Sequence, residues 1–200
     1  MGEILKQENA QQEINFIKLI IDESRNKANE TSMSIVVWGI LIAVALITEF
    51  YAIQSARYYL SPWIWGIAIG GGWVYQIIDS IINKSKRKVT SYSCKLSESL
   101  WFSTGISMTI LGFVGVFSGA ININYLTAIL GIVMASGYFV TGEIYGVNWF
   151  KNLAYGWWIG SILIFIFPFG DYNLLLFSGM MIAFQVIPGI IINKKWSSKL

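Results

Sequence analysis

Residues 66–76 read GIAIGGGWVYQ, with Gly70, Gly71 and Gly72 in unbroken succession inside an apolar run. In water each glycine in a helix interior costs about 1 kcal/mol relative to alanine, so three in a row would break a helix. The flanking sequence offers no loop, because Asp79 is the only charged residue between Pro62 and Ile82. A lipid environment reconciles the two observations. A helix in hydrocarbon satisfies its backbone within the segment, and glycines let neighbouring helices approach closely.

Composition points the same way. Hydrophobic residues make up 55% of the 200 residues and charged residues 12%, against about 25% charged in soluble domains. Most of the charges fall in the first 33 residues and the stretch 83–99, and the remainder is nearly charge-free. The net charge of +3 therefore comes without a basic face, and no nucleic-acid partner is expected. Cys94 is the single cysteine, so no internal disulfide is expected, and there is no histidine. The first residues lack the pattern of a signal peptide, so the first apolar segment is expected to remain in the mature chain.

Six stretches reach the roughly 20 apolar residues that a membrane-crossing helix needs: 34–53, 62–82, 100–117, 125–145, 153–169 and 173–192. Short connections after the first, third and fifth make three antiparallel hairpins. The expected fold is all-α: a polytopic membrane domain over 30–200, preceded by an amphipathic helix over 1–29. Every Lys and Arg except Arg57 falls on the side shared by both chain ends. The positive-inside rule then places both termini in the cytoplasm.

The glycines are expected to form the helix seams. Small residues four apart make a flat strip along one helix face, and each stretch has such a pair. Gly66, Gly70, Gly71, Gly72, Gly131, Gly156, Gly160 and Gly179 are the packing candidates. An alternative for the triplet is a kinked point lining a cavity, with Trp73 and Gln76 as pocket walls.

The order of features resembles a group of uncharacterised six-span bacterial inner-membrane proteins. The residues that carry the likeness are the Trp38-Gly39 pair, the Pro62-Trp63 start of the second span, the basic inner loop and the VIPGIII ending with Pro188-Gly189. The resemblance implies a topology and no chemistry.

Intramembrane charge marks function by default, because burying it is costly. Glu49 is the deepest charge, about 15 residues along the first span. It could bind a proton or cation, pair with Arg57 or with a polar group on another helix, or be reached by water from the outer surface. Gln185, three residues before Pro188, adds an amide where the proline frees a backbone carbonyl. The candidate ligand-binding residues are thus Glu49, Trp73, Gln76 and Gln185. Lys84, Lys86, Arg87 and Lys88 suit anionic lipid headgroups.

Residues 3–29 read EILKQENAQQEINFIKLIIDESRNKAN, with Ile14, Ile17, Ile21 and Ala28 at helical spacing. The polar side mixes both signs, unlike the Lys- and Arg-rich face of a pure lipid-surface helix. Without histidine or a phosphate motif, no enzymatic activity, metal or cofactor is expected. The leading expectation is a non-catalytic scaffold or sensor whose N-terminal helix engages a cytoplasmic protein. The alternative is a small transporter or binder of a lipid-like ligand within the bundle. Membrane lipids are expected partners in either case, and the seams also allow a homo-oligomer.

Overall fold

The structure, a computed structural model, describes residues 33–84, 92–167 and 169–197. The expected amphipathic helix over 1–29 and the basic residues Lys86, Arg87 and Lys88 lie outside the described residues.

Long aliphatic runs without β-favouring alternation form helices, and all regular structure among the described residues is helical. Helix α1 spans Met33–Gln54. Helix α2 spans Ser61–Lys84, entered through a single tight turn at Tyr58–Leu60. Helix α3 spans Tyr92–Ile110 and widens into a π-turn at Leu111–Gly115. Helices α4 and α5 span Ile123–Tyr145 and Asn148–Ile166. Helix α6 begins at Tyr172–Met181, widens into a π-turn at Ile182–Val186 and continues over Ile187–Ser197. Pro188 accounts for the second widening: it lacks an N–H, and its ring presses on the carbonyl four residues back, at Phe184.

Three of these helices, rather than the six expected, are long and apolar enough to cross a membrane: Met33–Gln54, Ile123–Tyr145 and Tyr172–Ile191. The other three carry more polar or near-neutral residues. Helix α2 holds four glycines and three tryptophans besides Gln76 and Asp79. Helix α3 opens with Lys95 and Glu98, and α5 with Asn148, Lys151 and Asn152. The chain is an all-helical, multi-pass membrane protein.

The closest pairing joins α4 to α5, across the connection between the second and third expected hairpins. Gly146 makes it possible. Its φ of 63° lies in the left-handed region. There it closes a Schellman turn in which Gly146 N–H donates to Glu143 and Val147 N–H to Gly142. A Cβ on Gly142 would lie 3.1 Å from the Lys151 backbone nitrogen, so this first turn of α5 sits tight against α4. Lys151 Nζ also bridges to Glu143 at 2.6 Å.

The core lies among α1, α4, α5 and α6. Trp157, Ala128, Ala135, Ala154 and Ile164 have no accessible surface, and Leu46, Phe177 and Met181 surround them. Gly131 abuts Ser161 Oγ, Gly160 abuts Met180, and a Cβ on Gly156 would fall 2.8 Å from Phe184. At each of these three glycines a side chain of a neighbouring helix fills the place a Cβ would take. Helix α6 runs antiparallel to α1: Gln185 Nε2 donates to Ile35 O at 3.1 Å and Ser178 Oγ to Ala43 O at 3.2 Å. Near the other end, Gln54 Nε2 donates to Asp171 at 3.3 Å.

Helix α2 has no extensive backbone contact with α3, α4, α5 or α6. Gly66, Gly70 and Gly71 are exposed, and nothing lies within 4 Å of a Cβ built on them. Gly72 alone of the triplet faces a neighbour, the ring of Trp38 at 2.5 Å. Of the packing candidates on α2, Gly66, Gly70 and Gly71 thus meet no side chain among the described residues, and Gly72 does. Gly179 on α6 is likewise exposed with no neighbour at that distance.

Candidate functional site: a cavity behind helix α2

Large aromatic side chains bridge α2 to its neighbours. Trp73 sits edge-on to Trp38 of α1 at 6.1 Å and to Phe102 of α3 at 5.9 Å. Trp38 Nε1 donates to Gln76 Oε1 at 3.4 Å. At the opposite end of α2, Ser61 Oγ donates to Glu49 Oε1 at 2.5 Å. Between these bridges lies a cavity of about 1190 Å³ walled by α1, α2, α3, α4 and α6.

The wall is apolar along most of its length. Ile42 and Leu46 come from α1, Trp65 and Ile69 from α2, and Leu130 and Met134 from α4. Trp101 of α3 closes one flank and is itself fixed. Its Nε1 donates to Thr141 Oγ1 at 3.1 Å, and its ring meets Tyr138 edge-on at 5.2 Å. Gly137 leaves the space for that ring, which a Cβ would approach to 3.3 Å.

Polar groups gather at the two ends. Glu49, Trp73, Gln76 and Gln185, the four residues singled out from sequence, all line this one cavity. Glu49 and Ser61 lie at one end, with Thr127 of α4 and Asn173 of α6. Asn173 Nδ2 donates to Asn124 O at 3.3 Å, one turn before Thr127 on α4. The antiparallel pairing of α1 with α6 sets Asn173 at the level of Glu49, between the Gln54–Asp171 and Ala43–Ser178 contacts. Gln76 and Gln185 lie at the other end. From Ile35, which Gln185 holds, to Glu49 is roughly 21 Å along α1 at the usual helical rise.

Buried polar atoms are normally hydrogen-bonded, and an unpaired one costs about 1–3 kcal/mol. Among the described residues five buried side-chain atoms lack a partner: Glu49 Oε2, Thr127 Oγ1, Asn173 Oδ1, Gln185 Oε1 and Trp157 Nε1. The first four belong to residues lining the cavity. These residues keep 8%, 6%, 3% and 5% of their surface. Glu49 forms no hydrogen bond with Arg57, which is exposed beyond the end of α1.

Ser61, Thr127 and Asn173 were not singled out from sequence. Thr127 and Ser61 look like ordinary first-turn residues. Asn173 sits just after the GDY connection, where an amide reads as a turn residue. The usable signal was their level: each falls in the first turns of its helix, the depth at which Glu49 arrives from the opposite direction. No cluster of metal-binding residues occurs among the described residues.

No protein family, no curated protein and no solved structure matches this chain.

Proposed function

We propose that this chain is a ligand-holding membrane bundle, in which an elongated amphiphile occupies the cavity between α2 and the other helices. The observation that carries the reading is the coincidence of unpartnered buried oxygens with one cavity wall. A volume of about 1190 Å³ lies above the roughly 300–1,000 Å³ typical of small-molecule pockets. An apolar middle between polar ends about 21 Å apart suits an acyl-like chain, since the hydrocarbon core of a bilayer is about 30 Å thick.

All six helices are embedded in this reading, with both termini cytoplasmic. Support comes from outward-facing side chains on the helices of mixed composition. Ile67 of α2 and Phe117 just beyond the π-turn of α3 are 71% and 80% exposed, and Ile159, Ile162 and Ile166 line the outside of α5. Apolar surface of this extent needs a cover, and acyl chains supply one. The scaffold or sensor reading draws only on residues 1–29, so the cavity moves ligand binding ahead of it.

Native mass spectrometry of the protein purified in mild detergent tests the proposal. One amphiphile per chain is expected to survive gentle activation. A bare chain, or an unselective ladder of lipid adducts, contradicts it.

A further inference from the structure

We infer that the Glu49 end of the cavity takes a positively charged, N–H-bearing head: the occupant is a primary ammonium amphiphile. The inference rests on the cavity reading above and adds the chemistry of the head.

Three unpartnered oxygens stand at this end. Glu49 Oε2 comes from α1, Thr127 Oγ1 from α4 and Asn173 Oδ1 from α6. Asn173 has already spent an amide proton on Asn124 O, and Glu49 Oε1 already accepts from Ser61. What remains at Glu49 Oε2 and Asn173 Oδ1 is lone pairs, and Thr127 keeps a hydroxyl that can turn its own lone pairs to the same place. A carboxylate and an amide oxygen can only accept, and a threonine hydroxyl can accept as well. An ammonium head carries three N–H donors and a charge opposite to that of Glu49. Asp171 lies on the same wall and adds negative charge near the head. Among the described residues no Lys or Arg lines the cavity.

Electrostatics favours the same choice. An uncompensated carboxylate in hydrocarbon is expensive, and pairing with hydrogen bonds offsets the cost. The terminal torsions of Glu49 and Asn173 are broad rotors, so both oxygens can turn onto a head without disturbing the helices. An anionic head would meet Glu49 with like charge. An alcohol would satisfy one acceptor and leave the charge unbalanced.

The test compares chain-matched probes on the full-length protein in phosphatidylcholine nanodiscs. Dodecylammonium, dodecyltrimethylammonium and dodecanol are titrated, and tryptophan emission is read after subtraction of empty nanodiscs; Trp38, Trp65, Trp73 and Trp101 line the cavity. Dodecylammonium is expected to bind about tenfold tighter than dodecanol, the ratio that about 1.4 kcal/mol of charge-assisted hydrogen bonding gives. The trimethyl head, which has no N–H, falls between them. Glu49→Gln keeps an acceptor for Ser61 and is expected to erase the preference, bringing the ammonium and the alcohol to about equal affinity. Thr127→Val is expected to narrow it.

Equal binding of the ammonium and the alcohol to the unaltered protein overturns the head assignment and leaves the cavity reading intact. Sodium chloride alone producing the Glu49-dependent change overturns it in favour of a free ion. If no dodecyl probe alters emission, the cavity reading falls with it.

Discussion

Ala56 is the one described non-glycine residue with a positive φ, at 54°. It ends α1 in the manner of a glycine, with Ala56 N–H donating to Ile53 and Arg57 N–H to Ala52. A left-handed alanine stores roughly 1–2 kcal/mol, whereas glycine gives back about 0.4–1 kcal/mol through the unfolded chain. Ala56→Gly is therefore expected to stabilise the protein by on the order of 0.5 kcal/mol, seen as a small rise in thermal midpoint in detergent. The glycines divide by the same kind of local geometry. Gly131→Ala drives a methyl onto Ser161 Oγ and is expected to cost about 1–3 kcal/mol. Gly70→Ala meets nothing and improves helix propensity, so the monomer should be unchanged or up to about 1 kcal/mol more stable. Thermal unfolding of the two variants side by side checks the division. Sequence spacing identified Gly131, Gly156 and Gly160 as contact glycines because their helices do pack. Spacing gives the strip along Gly66 and Gly70 but not the direction it faces.

At the scale of elements, α2 is tied to the rest by side chains and not by extensive backbone contact with α3, α4, α5 or α6. Trp38, Trp73 and Phe102 form the bridge nearer one end, and Ser61 with Glu49 the bridge at the other. Hydrogen exchange in detergent is therefore expected to be faster in α2 than in α4 and α5. Trp73→Ala should speed exchange in α2 and leave α4 unchanged; equal acceleration in both helices would show that α2 is part of one packed core. The Lys151–Glu143 pair is a different kind of contact. Glu143 is 56% exposed, so Glu143→Gln is expected to change stability by less than about 1 kcal/mol. Helix positions were legible in the sequence because apolar runs bounded by Gly, Pro and Asn admit little else. The count of spans was less so. Trp, Tyr, Gly, Ser and Thr tolerate both a membrane and a protein interior, and α2, α3 and α5 are rich in them.

Among the described residues, α1, α4, α5 and α6 supply most of the packed core, and aromatic rings bridge α2 to α1 and α3. The residues of the cavity wall were partly visible beforehand. Glu49 and Gln185 stand out as polar groups in apolar runs, and Trp73 and Gln76 follow the glycine triplet. Their convergence was not visible, because it depends on the antiparallel register of α1 with α6 and on where α2 fails to close. Thr127 and Asn173 acquire meaning only once that register places them opposite Glu49. The most direct measurement is a cryo-electron microscopy map of the protein in lipid nanodiscs, enlarged by a bound antibody fragment. An elongated density behind α2, its head against Glu49, Thr127 and Asn173, is the result expected. A map with α2 seated on α3 and α4 and no space between them would contradict the account.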